Sequence, residues 1–157
     1  MFFASVLENK DILKLLLQQN NLEINAKNKL QQNCLHLACS KNRFENIKLL
    51  LETTEIDYNA VDEFGFTPLM KACSSKSNQC AEILLNYKVN LNQKDKLGYT
   101  TLHYAMEDNN LKLAIELLKK IADYEIKNLD GKTCLDLIRD NDMKRIILDF
   151  IKNRENY

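Results

Sequence analysis

Turn-forming residues are scarce in this chain of 157 residues, which holds three glycines and one proline. Whatever turns exist must reuse a few positions, and a glycine-rich phosphate loop has no material to spare. Charge of one sign is also missing. The 22 basic and 22 acidic residues cancel, so no global field draws the chain to nucleic acid or to an anionic membrane. No apolar run approaches the roughly 20 residues that cross a bilayer, and Met1-Phe2-Phe3 leads straight to Glu8, Lys10 and Asp11 without a signal-peptide pattern. The five cysteines are odd in number and include no CxxC pair. They lie among apolar neighbours, which argues against a disulfide framework and for a reduced, intracellular chain, cytoplasmic or alternatively nuclear.

What is present is ordinary for a folded protein: 45% hydrophobic and 28% charged residues, too apolar for disorder and short enough for one domain. The informative feature is the placement of the glycines. Gly65, Gly98 and Gly131 are each 33 residues apart. A threonine follows each by two positions (Thr67, Thr100, Thr133), and a leucine follows each threonine by two (Leu69, Leu102, Leu135). A fourth register begins at Asn33-Cys34-Leu35-His36, with Gln31 in the glycine place. Asn28, Asp62, Asp95 and Asn128 stand three residues before the glycine position.

Self-similarity at this period marks a solenoid, in which each unit buries its apolar face only by stacking on its neighbours. The residue types assign the parts. Asp62 or Asp95 can cap its own turn, the glycine supplies a positive φ, and the threonine hydroxyl caps the helix that follows. A second apolar stretch with helical spacing comes later in each unit, at Ile47 to Leu51, Ile83 to Leu85, Leu113 to Leu118 and Ile146 to Ile151. The segment Asp11 to Leu17 repeats it once more near the start. The expected class is all-α, about five helix-turn-helix units: a partial first unit over 1–26, then 27–60, 61–93, 94–126, and a C-terminal cap over 127–157.

These residues resemble the ankyrin repeat family, whose pattern sets Asp and Gly in a β-turn, Thr-Pro-Leu-His at the first helix and an Ile/Leu-rich second helix. Thr67-Pro68-Leu69 reproduces the opening with Met70 in the histidine slot, and Thr100-Thr101-Leu102-His103 keeps the histidine without the proline. Asn25, Asn59 and Asn92 match the asparagine that ends a repeat. Asn42 and Asn109 stand where the family has glycine between its helices, and asparagine tolerates the left-handed conformation needed there.

Catalytic readings find little support. His36 and His103 share one repeat slot two units apart, with no convergent nucleophile or carboxylate. Cys39 and Cys73 share a small helical slot, as do Cys34 and Cys134, so packing accounts for them. The spacing of His36 between Cys34 and Cys39 lacks the paired geometry of a zinc site. No catalytic residue, metal ligand or cofactor is expected.

Surface remains. The resemblance implies that partners lie against turn tips and the exposed face of the first helices. That marks Leu30, Phe64 and Leu97 as one column and Gln32, Phe66, Tyr99 and Lys132 as another. Phe64, Phe66, Leu97 and Tyr99 are expected to make an exposed apolar patch of the kind enriched in binding hot spots, with roughly half of them folding back to pad the fingers. Lys27, Lys94 and Lys127 align nearby with Lys29 and Lys96, while Glu107, Asp108 and Asp140 line the helix face. Such a dipolar surface suits a partner whose acidic stretch meets the lysines. The resulting expectation is a monomeric, non-enzymatic module that binds another protein, with no nucleic acid and no membrane insertion. The competing expectation is a recruitment domain cut from a larger enzyme or membrane protein.

Overall fold

A computed structural model describes residues 2–7, 9–19 and 22–155. Its residues group into two compact units, 1–89 and 90–157, each taken by itself below. Among the described residues there are helices and one isolated antiparallel bridge, Lys127 to Thr133, but no strand.

The first unit holds α1 (Phe2–Val6), α2 (Lys10–Leu17), α3 (Cys34–Ser40), α4 (Phe44–Thr53), α5 (Pro68–Ser74) and α6 (Asn78–Leu84). They alternate between two layers. α1 packs on α3 and α3 on α5, while α2 packs on α4 and α4 on α6. These helices are too short to be stable alone, so the stacking must supply the stability. Leu35, Ile47, Leu50, Leu69, Met70 and Leu84 fill the space between layers with no exposed side-chain surface to speak of. The carbonyl end of α1 is held by side chains from the next repeat. Asn46 Nδ2 donates to the Leu7 carbonyl at 2.9 Å and Arg43 Nε to the Val6 carbonyl at 2.7 Å.

The second unit holds α7 (Thr101–Glu107), α8 (Leu111–Lys119), a 3-10 turn (Cys134–Leu137) and α9 (Asn141–Glu155). α7 packs on the 3-10 turn and on α8, and α8 packs on α9. Leu102, Met106, Leu117, Leu118 and Ile147 form its centre. A full first helix was the expectation for the last repeat, yet Cys134–Leu137 makes one 3-10 turn and Ile138 turns extended, with ψ 117°. The reason is size. Ile138 stands where Ala38, Ala72 and Ala105 let the earlier first helices pack closely. The chain leaves the helix there and restarts at α9, whose first turn is capped by the Asp140 carboxylate accepting from the Met143 N–H at 2.7 Å.

Connections between the paired helices follow one rule. Asn42, Lys76 and Asn109, each nine residues past the helix-capping position, have φ of 53°, 57° and 57°. The two asparagines suit that conformation. Lys76 adopts it without such help, because its N–H donates to the Cys73 carbonyl at 3.0 Å and that of Ser77 to the Ala72 carbonyl at 2.8 Å, closing the turn.

Candidate partner-binding surface

Each repeat opens with a finger built on one acceptor side chain. Asp62 Oδ1 accepts from the N–H groups of Phe64 and Phe66, both at 2.9 Å. Asp95 Oδ1 does the same for Leu97 and Tyr99 at 2.8 and 2.9 Å, and Asn28 and Asn128 repeat the pattern. Gly65, Gly98 and Gly131 have φ of 85°, 78° and 75°, and Gln31 takes the same place at 58°. A short side chain that satisfies the backbone donors two and four residues ahead of it explains why only Asn or Asp occurs there.

After the finger, Asn33 and Thr67 accept from the N–H three residues on, capping α3 and α5. The Thr100 hydroxyl and N–H both point at Nδ1 of His103, at 2.9 and 3.2 Å. Nδ1 therefore accepts, and Nε2–H donates to the Lys132 carbonyl of the following finger at 3.3 Å. In the first unit Nε2 of His36 reaches the Phe66 carbonyl at 2.8 Å. Burial pushes both imidazoles below their ordinary pKa, with the carbonyl contact opposing it. Neutral at pH 7 and occupied on both nitrogens, these histidines join one repeat to the next.

The thiols are equally committed. All five cysteines are buried, and burial pushes Cys34, Cys80 and Cys134 up to about 12. A thiol that holds its proton this firmly is neither a nucleophile nor a ready metal ligand.

The residues singled out in the sequence divide by where they point. Leu30 and Phe64 lie at finger tips of the first unit, 42% and 49% exposed, and Leu97 at a tip of the second, 62% exposed. Phe66 and Tyr99 do not join them. The Phe66 ring lies under the Lys71 ammonium, 4.2 Å from its centroid, and Lys71 also pairs with Asp62 at 3.5 Å. Tyr99 packs against Tyr104 and His103, with centroids 5.2 and 5.3 Å away. The expected apolar patch therefore loses these two rings, because each is drawn back onto the helix its own finger precedes.

The charged residues divide in the same way. Lys96, Glu107 and Lys132 are exposed, and Asp108 is half-buried. Lys94 is exposed along its stem, but its ammonium donates to the Lys127 carbonyl at 2.8 Å, and Lys27 reaches the Val61 carbonyl at 3.4 Å. These lysines hold the next finger in place. Asp140 caps α9 as described. Leu129, at 74% exposure the most open apolar side chain of the second unit, was not singled out, because Lys29, Glu63 and Lys96 occupy its column and gave no apolar signal.

A family model described as ankyrin repeats (3 copies) matches residues 1–95 and 55–130. The chain is similar to alpha-latrotoxin-Lg1a of Latrodectus geometricus, 32% identical over 113 residues, spanning 70% of this chain and 8% of the toxin. It is 29% identical over 103 residues to human protein phosphatase 1 regulatory subunit 27, spanning 66% of each. It is also 29% identical over 135 residues to mouse neurogenic locus notch homolog protein 1, spanning 86% of this chain and 5% of that protein. Two of these relatives are thus many times longer than the segment they share with it.

Proposed function

The chain belongs to the ankyrin repeat family, and from that premise we propose that it is a non-enzymatic module that holds a partner protein against its finger tips and first-helix faces. The observation that carries this reading is the division of labour within each finger. Asx, Gly, Thr and His side chains are consumed by the fold, while alternate positions leave Leu30 and Phe64 in one unit and Leu97 in the other exposed. Large apolar side chains held rigidly at a surface lose little entropy on binding, which suits them as anchors. Lys96, Lys132 and Glu107 around them supply charge that steers approach more than it adds affinity. The module acts as an intracellular monomer that binds no nucleic acid and does not itself insert into a membrane. No described helix is long and apolar enough to cross a bilayer, and five buried thiols suit a reducing compartment.

A second reading, a recruitment domain within a larger protein, is favoured by the 8% and 5% spans of the toxin and notch relatives. Likeness to a phosphatase regulatory subunit of matching span favours the free-standing module instead.

The test is affinity capture from cell extract with the parent chain beside Leu30→Ser/Phe64→Ser and Leu97→Ser variants, each checked by circular dichroism. A protein bound stoichiometrically by the parent and lost from folded variants supports the fingertip reading. Equal capture by all three places the partner elsewhere.

A further inference from the structure

Each unit has a corner where a finger meets the helix that follows it, and the two corners differ in charge. In the first unit a cation of the chain itself closes the corner. Lys71 Nζ lies 4.2 Å from the centroid of the Phe66 ring and 3.5 Å from Asp62 Oδ2, so one ammonium serves a ring face and a buried carboxylate together. In the second unit, 33 residues on, Asp95, Tyr99 and Tyr104 take the places of Asp62, Phe66 and Lys71. Tyr104 makes both kinds of contact that Lys71 makes, its ring against Tyr99 with centroids 5.2 Å apart and its hydroxyl donating to the Asp95 carboxylate. It brings no positive charge. The carboxylate that is neutralised in one unit is only hydrogen-bonded in the other.

Two more exchanges act in the same direction. Ser74 and Ser75 of the first unit correspond to Glu107 and Asp108 of the second, so that, with Lys71 and Tyr104, the formal charge of these three positions goes from +1 to −2. Glu107 is three residues beyond Tyr104 and therefore its neighbour on the surface of α7. It is exposed, and among the described residues its carboxylate has no hydrogen bond or ion pair. Burial pushes the Tyr104 phenol up, followed by the Asp95 contact and then by Tyr99 and Glu107, and burial followed by Glu107 does the same to Tyr99. Both rings thus lie in the field of Glu107. Helix stability does not ask for this charge, because the last turn of α7 has no basic residue and an acid there opposes the helix dipole, whereas Lys71 in the last turn of α5 suits it.

We propose that the face made by Tyr99, Tyr104 and Glu107 binds a basic side chain, arginine or lysine, presented by a partner protein. The guest supplies the positive charge that Lys71 supplies from within the first unit. Tyr99 and Tyr104 are half-buried and Glu107 is exposed, so the rings offer π surface to the stem or plane of the guest while the Glu107 carboxylate meets its charge. Asp95 adds to the attraction from behind the Tyr104 hydroxyl. This deepens the protein-binding reading and rests on it, naming the residue class that a first-helix face receives and leaving the finger tips to Leu30, Phe64 and Leu97.

The probe is a capped alanine peptide with one central arginine, used beside its analogue carrying neutral citrulline at that place. Titrated into the whole isotope-labelled chain, the arginine peptide is expected to give saturable amide shifts at millimolar concentration, centred on Tyr99, Tyr104 and Glu107, and the citrulline peptide none. Glu107→Gln should weaken binding several-fold. Tyr104→Lys, which gives the corner a cation of its own, should abolish it with the dichroism spectrum unchanged. Asp142→Asn, which removes a carboxylate 82% exposed elsewhere in the same unit, should bind as the parent does. Absence of saturable shifts, equal binding of the citrulline peptide, or binding that survives Tyr104→Lys would overturn the proposal. Should Tyr104→Lys not fold, an unchanged affinity in Glu107→Gln overturns it instead. None of these results touches the fingertip reading, which is judged by the capture experiment with Leu30, Phe64 and Leu97.

Discussion

The Tyr104 hydroxyl donates to the carboxylate of Asp95, nine residues earlier in the same repeat. Asp62 finds its donor at the same separation, in the Lys71 ammonium. Where the finger residue is Asn28 or Asn128, the position nine residues on is Leu37 or Leu137. The carboxylate has one oxygen left after capping its finger, and, being buried, that oxygen needs a donor. The asparagines carry an amide nitrogen there instead: Asn28 Nδ2 donates to Gln32 Oε1 at 3.1 Å, and Asn128 Nδ2 has no hydrogen-bond partner.

Tyr104→Phe should therefore cost about 1–3 kcal/mol in urea unfolding, the penalty of an unsatisfied buried acceptor beside a carboxylate. Adding Asp95→Asn to that variant should recover part of the loss, since asparagine keeps the oxygen that caps the finger and matches the Asn–Leu pairing of the first repeat. A double variant less stable than the sum of the two single changes would refute the pairing.

Repeat-to-repeat contact at the far side of each finger runs through asparagine. Asn92 Oδ1 accepts from the Asp123 N–H at 2.9 Å, and in the first unit Asn25 accepts from Asp57 at 2.7 Å. Asn92→Ala should lose about 1–2 kcal/mol, in the range of a cap or a side-chain bond to backbone. Glu125, in the same column, is exposed and its side chain makes no such bond. Glu125→Ala should fall within about 0.5 kcal/mol of the parent. Equal losses at the two positions would show that the column does not act through this contact.

Ile121 has φ of 67° and is 71% exposed. A β-branched residue in the left-handed region is strained by about 1–3 kcal/mol, and little packing offsets it here. Ile121→Asn should raise the thermal midpoint, by about 0.5–1 kcal/mol of stability after the lost side-chain contacts. Ile121→Gly should gain less, because glycine also loosens the unfolded chain. A fall in midpoint for both variants would mean the isoleucine packs better than its exposure implies.

Stability should fall with pH below the ordinary histidine range. His36 and His103 have lowered pKa values when folded, so between 6.5 and those values the unfolded chain binds protons that the folded chain does not. Their contribution is thus intact above pH 6.5 and is lost as pH drops through the folded pKa values. Urea midpoints at pH 8, 6 and 5 should decline, and the decline should flatten in His36→Gln/His103→Gln. An unchanged slope in the variant would assign the effect to other groups.

Much of this was legible in advance. Asn28, Asp62, Asp95, Asn128, the three glycines and the capping threonines announce their roles because those roles are local, joining groups within four residues along the chain. The two asparagines of the interhelical turns are readable for the same reason. Lys76 was not, since its positive φ comes from the closing turn and not from its own chemistry. The short 3-10 turn at Cys134–Leu137 was also hidden, because Ile138 becomes bulky only against a neighbouring helix.

The sequence by itself determined the period, the finger chemistry and the all-α class. Only the tertiary structure decided which alternate side chains stay outside. Phe64 and Phe66 are two residues apart on one finger, yet one is left in water and the other lies beneath Lys71. Likewise Lys94 and Lys127 look alike in sequence, but one grips a carbonyl of the following finger and the other meets none among the described residues. Such outcomes depend on what the next repeat brings within a few ångströms, and no local pattern encodes that.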